Sequence, residues 1–126
     1  MVINDPEVVA ELAGLYPKYK AALVGNDAET LTALFWNSEH AVRFGAAENL
    51  HGYEEISAFR RARPAGNLAR TTNRLDIVTF GRDFDSVTLE FTREIDGATI
   101  HGRQSQSWVG LTEGWRIVSA HASFLP

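Results

Sequence analysis

Apolar residues near the start of the chain recur every three or four positions, which is the spacing of an amphipathic helix. The apolar stripe consists of Val8, Leu12, Leu15, Tyr19 and Leu23. Asn4 or Asp5 supplies a side-chain cap for this helix, and Pro6 suits its first turn. Pro17 falls inside the stripe, so we predict a kink or break there, because proline removes a backbone hydrogen bond.

Two further helices are predicted before the middle of the chain. The pair Gly25-Asn26 ends the first helix, and Asp27 is placed to cap a second helix over residues 28–35. A third helix is predicted over residues 53–61, because Pro64 interrupts the chain shortly afterwards.

The rest of the chain alternates between apolar and polar residues, as β-strands do. Two short strands, at 41–44 and 48–50, come before the third helix. From Asn73 onward the pattern predicts longer strands at 75–80, 87–93, 99–111 and 115–124. The pair Asp96-Gly97 between two of these strands is typical of a tight hairpin turn.

Helices followed by a run of antiparallel strands indicate an α+β fold. We expect a cone-shaped, strongly bent antiparallel sheet packed against the N-terminal helices. A β-barrel with a helical lid is the alternative. The mouth of such a cone is a natural pocket for a small ligand. The 126 residues are expected to form a single domain spanning 1–126.

Composition and charge narrow the classes of partner. The formal net charge of -4 does not favour nucleic acid or anionic membranes as partners. No apolar run reaches the roughly 20 residues of a membrane span, and the N-terminus lacks the features of a signal peptide. There are no cysteines. We therefore expect a cytoplasmic protein.

The sequence offers no sign of a metal site or a cofactor. His40, His51 and His101 lack the spacing of metal ligands. The chain contains neither a phosphate-binding glycine loop nor a nucleophile elbow. We therefore predict no metal and no cofactor.

Arg43 lies in the middle of the apolar strand Ala41-Val42-Arg43-Phe44-Gly45 and is the most informative residue of the chain. Because strand side chains alternate, Arg43 faces away from the side of Val42 and Phe44. A buried guanidinium stays charged and needs an anion. Two interpretations are open: a ligand carboxylate, or an internal salt bridge to Glu48 or Glu90.

Further arginines make a carboxylate-binding pocket a reasonable hypothesis. They are Arg60, Arg61, Arg63, Arg70 and Arg74. The run from residue 60 to residue 63 is, by itself, typical of a solvated helix end, where positive charge complements the helix dipole. Arg60 is the member we expect to reach the mouth of the cone and hold a second carboxylate.

Three stretches of sequence carry a family resemblance. They are Tyr16-Pro17-Lys18-Tyr19 with Leu34-Phe35-Trp36; Val42-Arg43-Phe44-Gly45 with Leu50-His51-Gly52-Tyr53-Glu54-Glu55-Ile56 and Phe59-Arg60; and Gly102-Arg103-Gln104-Ser105-Gln106-Ser107-Trp108. With the order of elements, they resemble the AtzH-like family of the nuclear transport factor 2-like (SnoaL-like) superfamily. The resemblance extends from about residue 6 to residue 125 and implies the cone fold, also called cystatin-like.

The resemblance also implies an activity. The AtzH-like family is associated with nitrogen catabolism through hydrolysis of a short carboxylated urea, such as 1,3-dicarboxyurea or a compound related to oxalurate or allophanate. The catalytic tyrosine and arginine of the family fall on Tyr19 and Arg43. Arg43 would bind the carboxylate, and Tyr19 would act as an acid or polarising donor. The spacing alone fits equally a core tyrosine on the helix stripe.

Other candidate ligand-binding residues are Trp36, Arg60, Gln104, Gln106, Trp108 and His121. Gln104 and Gln106 share a strand face with Trp108, and two amides suit a urea-like ligand. Trp36 and Trp108 are more often core residues than pocket residues. His121, on the predicted face of Trp115 and Ile117, is a candidate acid or base, or else a structural or interface residue.

Two other functions stay open. A SnoaL-like isomerase or cyclase needs a base deep in the cone, for which Asp76, Glu90 and His121 are the candidates. A non-catalytic ligand-binding or association module is the other alternative. We also expect a homodimer through the sheet, because the strands carry apolar residues on what we predict to be both faces.

Overall fold

The computed structural model describes residues 1–64 and 66–126, and within them the helices and strands follow the predicted order. They are α1 Pro6–Val24, α2 Ala28–Ala33, β1 Val42–Phe44, β2 Asn49–His51, α3 Tyr53–Ala62, β3 Thr71–Phe80, β4 Phe84–Ile95, β5 Ala98–Leu111 and β6 Gly114–Phe124. The strands form one sheet in the order β2-β1-β6-β5-β4-β3. The predicted α+β class is confirmed. No helix of the described residues is long and apolar enough to cross a membrane.

Local sequence signals set the helix ends. The side chain of Asp5 accepts a hydrogen bond from a backbone amide at the start of α1, and Asp27 does the same for α2. The break predicted at Pro17 does not occur, because α1 continues from Pro6 to Val24. Pro17 has no amide hydrogen to donate to the carbonyl of Ala13, four residues earlier. Both residues are exposed, so water can satisfy that carbonyl.

The strand pairing departs from the prediction in one respect. Strands β3 to β6 form an antiparallel meander, and positive φ angles at Asp96 and Gly97 confirm the predicted hairpin turn. Strand β1, however, pairs in parallel with β6, so the sheet is mixed rather than wholly antiparallel. This pairing places the last strand of the sequence in the interior of the sheet.

A β-bulge in β6 changes which side chains face the helices. Ser107 of β5 pairs with Ser119, whereas Trp108 pairs with Ile117, so Val118 is an extra residue. As a result Ile117 and Ala120 are both buried, and His121 is exposed on the outer face. The prediction that His121 shares the face of Ile117 is therefore wrong, because the bulge interrupts the period of two.

The core lies between the helices and the inner face of the sheet. Its large members include Leu12, Tyr19, Phe35, Ile56, Val87, Trp108 and Ile117. The outer face of the central strands carries small polar side chains, in cross-strand rows such as Ser86, Ser107 and Ser119. The bulge directs the apolar residues of β6 inward on both sides of Val118. The premise that β6 carries apolar residues on both faces, which was part of the argument for a homodimer, is therefore wrong.

One carboxyl group lies in this core. Asp85 is fully buried and lies opposite Thr79 and Trp108 in the neighbouring strands. Among the described residues, neither of its carboxylate oxygens has a well-formed hydrogen bond. Burial raises the pKa of Asp85 to about 6, because an ionised carboxylate is costly to remove from water.

We predict that Asp85→Asn makes folding stability less dependent on pH. The folded pKa of Asp85, about 6, lies above its unfolded value of about 3.9. Between these values the folded state holds more protons, so stability decreases as the pH rises through the window, by at most about 3 kcal/mol. Unfolding by denaturant is measured at about pH 4 and at about pH 7, the lower end of this window and a point above it. The free energy of unfolding should be lower at the higher pH in the parent protein, and the difference should be smaller in Asp85→Asn.

The matched control is Asp83→Asn, which removes an exposed carboxylate two residues away. This variant should keep the pH dependence of the parent protein. A parallel loss of stability in the parent protein and in Asp85→Asn would show that Asp85 does not titrate in this range.

Candidate functional site

A cavity of about 190 Å³ opens between α1, α3 and one end of the sheet. Its volume is below the roughly 300 Å³ at which sites for drug-sized ligands begin, so it suits a small metabolite. The charged side chains that line it are Arg43, Glu48, Arg63, Arg70 and Arg93. The cavity is therefore strongly cationic in a chain whose formal net charge is -4.

Arg43 lies in the cavity wall and is paired with a carboxylate. Its Nη1 atom lies 2.6 Å from Oε1 of Glu48, with only 10% of the Arg43 side chain exposed. The β1–β2 turn permits this pair because residue 45 is glycine. A Cβ atom on Gly45 would lie 1.8 Å from Oε1 of Glu48, which is sterically impossible. The structure thus shows the salt bridge to Glu48, and it places the bridge at the cavity.

Tyr19 forms the buried end of the cavity. Its ring is 2% exposed, and its hydroxyl accepts a hydrogen bond of 3.2 Å from Nε2 of Gln104. Burial acts to raise the pKa of Tyr19, but the positive charges of Arg60 and Arg43 outweigh it and hold the pKa below its usual value. Because Gln104 donates to the phenol oxygen, the proton of Tyr19 is left for a ligand.

Arg60 lies behind Tyr19 rather than at the cavity mouth. It is 3% exposed, its guanidinium carbon lies 5.9 Å from the centre of the Phe35 ring, and it is not a cavity-lining residue. Burial lowers the pKa of Arg60 to about 10, so it remains charged at neutral pH. The expectation that Arg60 reaches the mouth is wrong, because Arg60 lies on the face of α3 that packs against the core.

Arg63 takes the position expected for Arg60. It extends beyond the end of α3, lines the cavity and lies over the ring of Phe59, 5.2 Å from its centre. Arg43 contacts the same ring, at 5.4 Å. Two guanidinium groups therefore share one aromatic ring, an arrangement in which cation–π attraction offsets part of their repulsion. Burial, followed by the charge of Arg43, lowers the pKa of Arg63.

Comparison with protein families assigns the chain to one of them. The AtzH-like family model matches residues 1–126. The chain belongs to the AtzH-like family. No curated protein matches the chain.

Several solved structures are similar to this chain. A protein of unknown function from Pectobacterium atrosepticum is 47% identical, with a TM-score of 0.93 over 98% of this chain and 95% of that one. A cystatin-like fold protein from Burkholderia xenovorans is 41% identical, with a TM-score of 0.92 over 100% and 99%. A nuclear transport factor 2-like superfamily protein from Salmonella enterica, at 22% identity, has a TM-score of 0.79 over 96% and 93% and shows the fold alone.

The structure brings only part of the candidate set together in this AtzH-like protein. Tyr19, Arg43 and Gln104 line the cavity. Gln106 and Trp108 share the inner face with Gln104, as predicted, but they lie deeper in the core, where Nε1 of Trp108 donates to Oε1 of Gln106. Both are almost fully buried. Their placement in the pocket was wrong because strand alternation determines a face and not a depth.

Trp36 and His121 lie away from the cavity as well. Trp36 packs on the core from outside, and its backbone amide pairs with Ile117. His121 lies on the outer face beside Phe44, with ring centres 6.0 Å apart. The bases considered for an isomerase, Asp76, Glu90 and His121, are all exposed and none lines the cavity. Within residues 1–64 and 66–126, no three potential metal ligands converge.

Sequence reasoning missed Arg93 and left Arg70 without a role. Arg93 continues the inward-facing series of Val87, Leu89 and Phe91 in β4. The alternation of side chains along the strand could therefore have predicted that Arg93 faces inward. Arg70 precedes β3 in an irregular segment. Its position depends on the packing of that segment against the sheet, and no local pattern predicts it.

We predict that Tyr19 ionises below the usual tyrosine pKa of about 10. The chain has 3 tyrosines, so the difference in near-ultraviolet alkaline titration between the parent protein and Tyr19→Phe isolates the Tyr19 phenol. Arg60→Gln should raise the pKa of Tyr19, because the strongest opposing charge is removed while burial remains.

Arg61→Gln is the control for this titration, since Arg61 lies next in α3 but is exposed. It should leave the pKa of Tyr19 unchanged. An identical rise in the pKa of Tyr19 in Arg60→Gln and Arg61→Gln would point to a general effect of net charge. It would contradict the assignment of the lowered pKa to the nearby charge of Arg60.

Proposed function

We propose that this AtzH-like protein is a cytoplasmic enzyme of nitrogen catabolism that hydrolyses a C–N bond of a short carboxylated urea, such as 1,3-dicarboxyurea or a relative of oxalurate or allophanate. The observation that carries the proposal is the buried phenol of Tyr19, which faces Arg60 and Arg43 at the closed end of a small cationic cavity. Such a phenol is an acid with a lowered pKa, next to groups that bind a carboxylate.

Arg43 binds the substrate carboxylate in this proposal. The ion pair with Glu48 uses Nη1 of Arg43, which leaves the other amino group for the ligand. Arg63, on the same Phe59 ring, supplies a second guanidinium to the same carboxylate. Charge-assisted hydrogen bonds of this kind are stronger than neutral ones, and a cavity of about 190 Å³ favours small ligands.

Tyr19 serves the chemical step as a proton donor. The oxygen of a water molecule bonds to the carbonyl carbon of the urea, the C–N bond breaks, and the phenol proton passes to the leaving nitrogen. Arg60, Arg43 and Gln104 stabilise the phenolate that results. Among the described residues that line the cavity, Glu48 alone carries a carboxylate, so it is the group that takes the proton lost by water.

We expect Tyr19→Phe to lower turnover by about 100-fold or more, the usual loss when a general acid is removed. Arg43→Gln should lower kcat/KM by about 10-fold or more, because a charged hydrogen bond to the carboxylate is lost. The assay measures ammonia release from dicarboxylated ureas, oxalurate, allophanate and biuret. Tyr16→Phe is the control, since Tyr16 is a neighbouring buried tyrosine that does not line the cavity.

Unchanged turnover in Tyr19→Phe would remove Tyr19 from the mechanism and leave it as a core residue. If the parent protein binds these compounds in a thermal-shift assay but releases no ammonia, the non-catalytic binding module is the better description.

We also propose that two copies pair through the outer face of the sheet. Rows of small side chains run across β4, β5 and β6 on this face, and among the described residues no helix covers it. Ser105 lies within this face, is exposed, and pairs with Thr88 and His121. A stable contact there should bury more than about 1,000 Å².

Sedimentation should therefore show a dimer that Ser105→Arg converts into a monomer. Thr112→Arg adds the same charge at an exposed position of the β5–β6 turn and should leave the dimer intact. A parent protein that sediments as a monomer at micromolar concentration would rule the dimer out and leave the cavity proposal unaffected.

A further inference from the structure

A second, smaller cavity, of about 20 Å³, lies where the end of α1, the start of α2 and the end of α3 meet. Arg60 and Arg63 line it from the end of α3, and Asn26 lines it from the α1–α2 connection. Its other lining residues are apolar. The volume exceeds the roughly 10–15 Å³ that one water molecule needs, so the cavity has room for one water molecule or one ion of similar size.

Arg60 lines this smaller cavity with its hydrogen-bonding groups unused. The residue is 3% exposed, and among the described residues none of its three guanidinium nitrogens has a well-formed hydrogen bond. Nη2 of Arg63 is likewise buried without a partner there. Buried polar groups are rarely left in this state. Because all four nitrogens are donors on cations, the occupant that complements them accepts hydrogen bonds and carries negative charge.

The protein leaves the charge of Arg60 without a carboxylate partner. None of the salt bridges within residues 1–64 and 66–126 involves Arg60, and no described residue that lines the smaller cavity is acidic. Burial, together with the charges of Arg43 and Arg63, lowers the pKa of Arg60, while the phenol of Tyr19 acts in the opposite direction. A water molecule could accept hydrogen bonds here, but only an anion offsets the repulsion between the arginines.

We propose that the smaller cavity binds one monatomic anion, normally chloride, between Arg60 and Arg63. Such an ion accepts hydrogen bonds from several directions, carries one negative charge and is only slightly larger than a water molecule. A carboxylate group needs more room, and its place in the proposed function is the larger cavity. The ion contacts Arg60 and not the substrate, so the site is regulatory and its existence does not depend on the proposed hydrolysis.

Occupancy of this site changes the acidity of Tyr19. Burial acts to raise the pKa of Tyr19, and the charge of Arg60 is the strongest effect that lowers it. A chloride ion at Arg60 offsets that charge, whereas the contributions of Arg43 and Gln104, which also face the phenol, stay in place. Chloride should therefore raise the pKa of Tyr19.

The test compares salts at equal ionic strength. The pKa of Tyr19 is measured as the difference in near-ultraviolet titration between the parent protein and Tyr19→Phe, in sodium chloride, sodium bromide and sodium methanesulfonate. Methanesulfonate has the same charge but is too large for the smaller cavity. The pKa should be about one unit higher in chloride and in bromide than in methanesulfonate, the effect of one charge a few ångströms away in a medium of intermediate dielectric constant.

Arg60→Gln should abolish this difference between salts, because the charge that holds the ion is removed. Arg70→Gln is the control for position, since Arg70 lines the larger cavity and not the smaller one, and the difference should persist. Arg61→Gln, which removes an exposed arginine, is the control for net charge and should also retain it. In crystals grown with bromide, anomalous scattering should locate one bromide ion beside the guanidinium of Arg60.

The same pKa of Tyr19 in all three salts would overturn the proposal. Equal losses of the salt difference in Arg60→Gln and Arg70→Gln would place the anion in the larger cavity and overturn it as well, as would a smaller cavity without bromide in those crystals. If Arg60→Gln melts well below the parent protein, Arg60→Met replaces it, because exchanging a buried charge for an apolar chain is often tolerated. A salt difference retained in that variant counts against the site. None of these measurements involves turnover, so the anion site and the proposed hydrolysis can fail separately.

Discussion

Buried positive charge is the constraint around which the cavity is organised. Arg60 and Arg43 are each less than one-tenth exposed, and guanidinium groups are costly to remove from water. The chain offsets this cost with Glu48, with the phenol of Tyr19, and with aromatic rings beneath the other arginines. The compensation is incomplete, because Arg63, Arg70 and Arg93 have no carboxylate partner among the described residues. The cavity therefore favours an anion before any chemistry is considered.

Local signals in the sequence predicted local features of the fold. The helix caps at Asp5 and Asp27, the Asp96-Gly97 turn and the inward position of Arg43 depend on neighbours within a few residues. The bulge at Val118 depends instead on how β6 is matched to β5, and nothing in β6 alone marks it. The bulge moved His121 to the outer face and removed the contribution of β6 to the apolar argument for a dimer.

The candidate site was predictable to a similar extent. Arg43 came from its position in an apolar strand, and the family resemblance added Tyr19 and the catalytic roles of both residues. The strand period correctly placed Gln104, Gln106 and Trp108 on one face. Depth along that face was not predictable, because it depends on where α1 and α3 cover the sheet. The error for Arg60 was of a different kind: it lies four residues after the buried Ile56, so a strict helical period would have placed it in the core instead of at the mouth.

The interior position of β6 has a consequence for how the molecule is made. Strand β1 has one partner in β2 and the other in β6, and β6 follows it only after α3 and three further strands. During synthesis the early hairpin must wait for that strand, because a two-stranded piece is not stable in water. Closing such a long loop late makes folding slow relative to a local meander. Strand β6 is therefore made last, and only its arrival joins β1 and β2 to the meander of β3 to β5.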